Sequence, residues 1–168
     1  KATIGKKLFE SSKLSLNGDT SCSSCHLDKF SSSDGIPNAI GVGGEGEGFH
    51  RLDSEGALVP RNTLPLWGRA SKDFSTFFWD GKVEQGADGN TYSQLGTDLS
   101  NKFDNALAVA AVMPLLERDE LIGTSGRGNE ISRAVDEKLY TDKFNAVSEV
   151  IVERFMSNSF DTEKINQL

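Results

Sequence analysis

Thiols and imidazoles are scarce in this chain: two cysteines and two histidines in 168 residues. A structural zinc site needs four well-spaced ligands, and one histidine here directly follows a cysteine, so the usual second ligand pair is missing. Basic residues are also short, 18 Lys plus Arg against 25 Asp plus Glu for a net charge of −7. That balance argues against nucleic acid and anionic membrane surfaces as partners. There is no long hydrophobic run. The longest apolar stretch, Ala106 to Leu116, is far too short to span a bilayer. Hydrophobic residues make up only 36% of the chain, beside 17 glycines, so loops and a large bound group must replace part of the apolar core. Strand-like alternation is nearly absent and no internal repeat is visible. The expected class is therefore all-α with long irregular loops, as one domain over residues 1–168.

What the chain does have is Thr20-Ser21-Cys22-Ser23-Ser24-Cys25-His26. Cys22, Cys25 and His26 form the Cys-x-x-Cys-His signature of c-type haem attachment. Two thiols three positions apart can each add to one of the two vinyl groups on a porphyrin edge, and the next residue supplies the imidazole beneath the iron. A thioredoxin-like pair would need a strand-to-helix setting, whereas Ser15–Ser33 is polar and serine-rich. A disulfide between the two would leave His26 without a role. The expectation is a c-type cytochrome domain wrapped around one covalent haem c. Such haem is assembled on the oxidising side of a bacterial membrane. The location expected is then periplasmic or extracellular, with a leader already removed, since Lys1 opens directly into an amphipathic segment.

Along the chain, Ile4, Leu8 and Phe9 recur at helical spacing and predict a short helix over Ile4–Ser11. The glycine-rich stretch Gly41–Gly48 follows no strand and lacks a Gly-Lys-Ser/Thr ending, so it is not a phosphate loop. It reads as a mobile surface loop or as a lid over the distal side of the haem. Dense aromatics follow in Arg61–Trp67 and Phe74–Gly81. Ser100–Met113 has the strongest helical pattern, with Ser100 as cap and Pro114 as terminator. Gly123–Gly128 is a break. Further helices are expected around Ile131–Leu139 and Phe144–Phe155, and a capped start at Phe160–Glu163 stops at Leu168, as in a chain cut from something longer.

In their order and spacing, the segments IGKKLFESSKLS, TSCSSCH, DGIPNAIG, PRNTLPLW, FFWDGKVEQ and MPLLERDELIG resemble the N-terminal haem domain of bacterial di-haem cytochrome c peroxidases and the related methylamine-utilisation enzymes. Arg61-Asn62-Thr63 and Phe78-Trp79-Asp80-Gly81 carry the specificity. The resemblance implies a peroxide-reacting haem here, fed with electrons from a second haem domain absent from this chain. It makes His26 the proximal ligand and Arg61 part of the haem-binding set. It makes Trp79 the tryptophan between the haems, and Gln85 and Glu120 distal residues. Asn62 becomes a ligand of a calcium ion at the domain interface. The chain departs from the pattern twice: Ile40-Gly41 is followed by Val42 where some members soon place a distal histidine, and the family's Glu-Met pair stands here as Glu120-Leu121.

Peroxide cleavage at haem iron requires an open sixth position, a proton-moving group and an electron source. Glu120 would move the proton, Gln85 would orient the peroxide and Trp79 would pass electrons. By charge pattern alone, Glu120 reads as a solvated member of the run Glu117–Glu120. The rival function is a six-coordinate electron-transfer cytochrome, with His50 or Met113 as the second iron ligand. Against those assignments, His50 reads as a solvated loop residue, Met113 as core filler and Met156 as a weaker ligand still. The expected partners are hydrogen peroxide, a second haem domain and a small cytochrome c or cupredoxin as electron donor.

Overall fold

The computed structural model describes residues 2–123, 130–136 and 138–157. Helix α1 (Ala2–Phe9) leads through tight 3-10 turns into the Cys22–Ser24 turn. Strands β1 (Ala39–Ile40) and β2 (Leu58–Val59) pair antiparallel and enclose the short helix α2 (Phe49–Leu52) between them in sequence. A second antiparallel sheet has the order β3 (Thr76–Phe77), β4 (Val83–Gln85), β5 (Thr91–Ser93). Its register sets Phe77 opposite Val83 and Gln85 opposite Thr91. Helices α3 (Thr97–Ser100), α4 (Ala106–Val112), α5 (Glu130–Asp136) and α6 (Tyr140–Ser157) complete the order.

These two sheets overturn the all-α c-type cytochrome expectation: the architecture is mixed helix and sheet. The physical reason is length. Strands of two or three residues hold at most about one and a half cycles of period-two alternation, too few for hydrophobic patterning to reveal them.

The predicted Ser100–Met113 helix is also divided. Ser100 closes α3, with its hydroxyl 2.8 Å from that of Ser93, while Asn105 caps α4 by accepting from Ala108 N–H at 2.9 Å. Pro114 then sits in a 3-10 turn, Met113–Leu116, rather than ending the helix outright. Helix α5 stops at Asp136, leaving Leu139 79% exposed. Of the Gly123–Gly128 break, only Gly123 is described; it adopts φ 83°, which suits glycine. The helix expected from Phe160 lies outside the described residues. No helix among the described residues is long and apolar enough to cross a membrane.

The core forms where α4, β4 and α6 meet. Val83, Val109, Met113 and Val147 are almost wholly buried there, each burial contributing roughly 1.5–3 kcal/mol. Phe103 and Phe144 pack edge to face at 6.0 Å. The Arg154 guanidinium donates to the Ser15 and Leu16 carbonyls and so ties α6 to the chain that leads into Cys22.

Candidate haem site

Beside this core lies a cavity of about 430 Å³. Its walls are largely apolar and come from several elements between α1 and the Glu120 turn: Phe9 of α1, Val59 of β2, Leu64 and Leu66, Phe77 of β3 and Leu107 of α4. Cys22, Cys25 and His26 line the same space. The local fold brings them there. The Cys25 and His26 amides both donate back to the Cys22 carbonyl, at 3.2 and 3.0 Å, and Ser21 and Ser24 cap each other across that turn. No disulfide joins the two cysteines. Burial raises the Cys22 thiol and pushes Cys25 up to about 11, with Arg51 pulling the latter down in part.

The His26 ring is fixed from two sides. Nδ1 lies 2.8 Å from the Ser32 carbonyl, and Phe9 stacks at a tilt, 6.2 Å between centroids. A carbonyl only accepts, so Nδ1 carries the proton and Nε2 keeps its lone pair. Burial also lowers the His26 pKa, favouring the neutral, ligating form. An apolar cavity with two thiols and an oriented imidazole in its wall matches what a covalently held porphyrin requires.

Of the other sequence-predicted residues, Arg61, Asn62, Trp79 and Glu120 line the cavity. Arg61 reaches Asp80 at 3.4 Å. The Asn62 amide donates to the Ile36 carbonyl at 2.6 Å, and its own carbonyl accepts the Trp79 indole N–H at 3.3 Å. Trp79 stands 65% exposed at the cavity mouth. Among the described residues no three His, Cys, Asp or Glu side chains gather as a metal cage.

Glu120 sits on a single π-helical turn, Arg118–Ile122, of the kind frequent at functional sites. Burial raises its carboxyl to about 6. Lys82 and Arg61 oppose that rise while Glu117 and Asp119 add to it. Lys82 is itself bonded to Glu117 at 2.8 Å.

Three predicted residues are placed elsewhere. Gln85 does not line the cavity: its amide group is engaged in its own hairpin, donating to the Gly89 and Asn90 carbonyls and accepting from the Thr91 hydroxyl. His50 is exposed on α2. Met113 is completely buried in the core, and neither residue lines the cavity.

Two buried residues had no signal in the sequence. Arg51, in what looked like a glycine-rich and charged loop, is 3% exposed and donates to the carbonyls of Ile40, Gly41, Gly44 and Gly46. The Gly41–Gly48 stretch, expected as a mobile loop or lid, is bonded at Gly41, Gly44 and Gly46 to this one guanidinium. Asp34, fully buried, accepts from the Thr63 hydroxyl at 2.8 Å and the Ile36 amide at 3.3 Å.

A family model described as di-haem cytochrome c peroxidase matches residues 1–166. The methylamine utilization protein MauG of Methylorubrum extorquens is 33% identical over 88 residues, which cover 50% of this chain and 20% of that protein. The matched span is thus about a fifth of the relative's length. No solved structure matches the chain.

Proposed function

Because the chain belongs to the di-haem cytochrome c peroxidase family, we propose that residues 1–168 form one haem c domain that reduces hydrogen peroxide with electrons from a partner haem. The balance is one peroxide, two electrons and two protons to two waters. When bound, the haem supplies the redox-active iron. Cys22 and Cys25 would hold its porphyrin as thioethers, and His26 Nε2 would ligate its iron.

The observation that carries this reading is Glu120: its carboxyl shares the cavity with Cys22, Cys25 and His26, and burial lifts it to about 6. A carboxyl poised there can take a proton from bound peroxide and return it to the departing oxygen near neutral pH. Lys82 and Arg61 keep positive charge close by and hold the carboxylate form accessible. Trp79, aromatic and exposed at the mouth, is placed to face an electron-delivering partner. Gln85 is left out of the catalytic set because its amide serves the hairpin.

The rival six-coordinate carrier gains nothing from the cavity, since neither His50 nor Met113 lines it. The partners we infer are a second haem domain and a small cytochrome c or cupredoxin as donor, in the periplasm or outside the cell. Stopped-flow reaction of the ferric protein with peroxide tests the reading. Glu120→Gln is expected to slow the bimolecular step by roughly 10²–10⁴-fold, the usual worth of a general acid–base group. An unchanged rate would reject it.

A further inference from the structure

Ser31 and Ser32 both adopt left-handed backbone, φ 57° and 61°, where glycine or asparagine is the ordinary choice. Ser31 is exposed, and its conformation closes a 3-10 turn. Ser32 is 4% exposed, and a strained non-glycine residue in so buried a place calls for a reason.

The reason lies in its hydroxyl, whose hydrogen-bonding capacity is full. It donates to the Ser31 carbonyl at 2.6 Å and accepts from the amides of Leu66 at 2.7 Å and Trp67 at 3.2 Å. One donor and two acceptor positions are all a serine hydroxyl has. Glycine would satisfy the backbone and supply none of these bonds. The same residue's carbonyl is the acceptor for His26 Nδ1–H at 2.8 Å, and its amide donates to the Leu27 carbonyl at 3.0 Å. Ser32 therefore joins the imidazole to the Leu64–Leu66 wall of the cavity, 34 residues on from its own position at Leu66.

We propose that Ser32 is a positioning residue for His26: its hydroxyl, held by the Leu66 and Trp67 amides, keeps the Ser32 carbonyl aimed at Nδ1–H and so makes the imidazole a stronger electron donor to iron. A strong hydrogen bond from the outer nitrogen raises ligand basicity, which favours ferric over ferrous iron. The proposal rests on haem ligation by His26 but not on peroxide chemistry or on Glu120.

The test is Ser32→Gly in the haem-loaded protein, with Ser31→Gly as control. Both changes suit a positive φ, and only the first removes the hydroxyl bonds to Leu66 and Trp67. Ser32→Gly is expected to raise the midpoint potential by at least about 30 mV, a threefold shift in the ferric-to-ferrous ratio at 59 mV per tenfold. It should also lower the ferrous iron–histidine stretching frequency. Ser31→Gly should move neither. If Ser32→Gly does not take up haem, Ser32→Ala, which keeps the Cβ that serine already places at this φ and removes only the hydroxyl, carries the test with the same expected shift. A wild-type potential and stretch in the Ser32 variant, or an equal shift in the Ser31 variant, would overturn the proposal. Failure of the wild-type protein to bind haem through His26 would instead reject the haem assignment itself.

Discussion

Arg51 Nε donates to the Ile40 carbonyl at 2.6 Å, and the same oxygen lies 3.6 Å from Cys25 Sγ. A buried guanidinium is thereby tied to the wall of the haem cavity through one backbone oxygen. Its other bonds go to Gly41, Gly44 and Gly46, so removing it strands several buried carbonyls at once. Arg51→Met should lower the unfolding free energy by about 3 kcal/mol or more in urea titration. His50→Ala, one residue away and exposed, should change it by less than about 0.5 kcal/mol.

Glu120 gives the pH dependence a definite sign. Its folded value of about 6 exceeds the ordinary 4.5, so the folded protein binds this proton more tightly than the unfolded chain does. The contribution is fully present below pH 4.5 and is lost as pH rises through about 6. Solvent reaching the half-buried carboxyl keeps it to about 1 kcal/mol, short of what the full shift would convert to. Unfolding measured from pH 4.5 to 7 should show this loss in the wild type. The Glu120→Gln protein should lack it, giving a flatter curve.

Gly41 is where the loop meets the Glu120 turn. A Cβ there would lie 1.7 Å from the Asp119 carbonyl oxygen, which also accepts the Val42 amide at 3.0 Å. Backbone cannot yield as the tip of a side chain can. Gly41→Ala should therefore displace the Arg118–Ile122 turn and destabilise the fold by about 1–3 kcal/mol. The peroxide reaction should slow as Glu120 moves, while the potential set by His26 should change little. Stopped-flow kinetics beside potentiometry separates the two effects.

Chemistry concentrated in contiguous residues is legible in the sequence: Cys22, Cys25 and His26 form the haem-attachment motif, and α1 and α6 follow their apolar spacing. Residues whose meaning depends on distant contacts are not. Val83 and Phe77 pair across strands too short to show alternation. Ser100 looked like a helix cap but bonds Ser93 instead, leaving that role to Asn105. Gln85 carried its expected role from the resemblance, and its hairpin partners Gly89 and Asn90 give the amide another. Arg51 and Ser32 sat among glycines, serines and charges, a composition that ordinarily marks solvent-facing loops. Only the folded chain shows that one is buried among carbonyls and that the other's carbonyl meets His26 Nδ1.

The proposed function requires a haem on Cys22, Cys25 and His26 whose other face is open to peroxide beside Glu120. The electron paramagnetic resonance and absorption spectra of the ferric protein, recorded for wild type, His50→Ala and Met113→Leu, test it most directly. The expected result is a high-spin or weakly ligated iron that reacts with added peroxide, with the same spectrum in all three proteins. A tightly low-spin iron inert to peroxide, converted to high spin by either substitution, would contradict it.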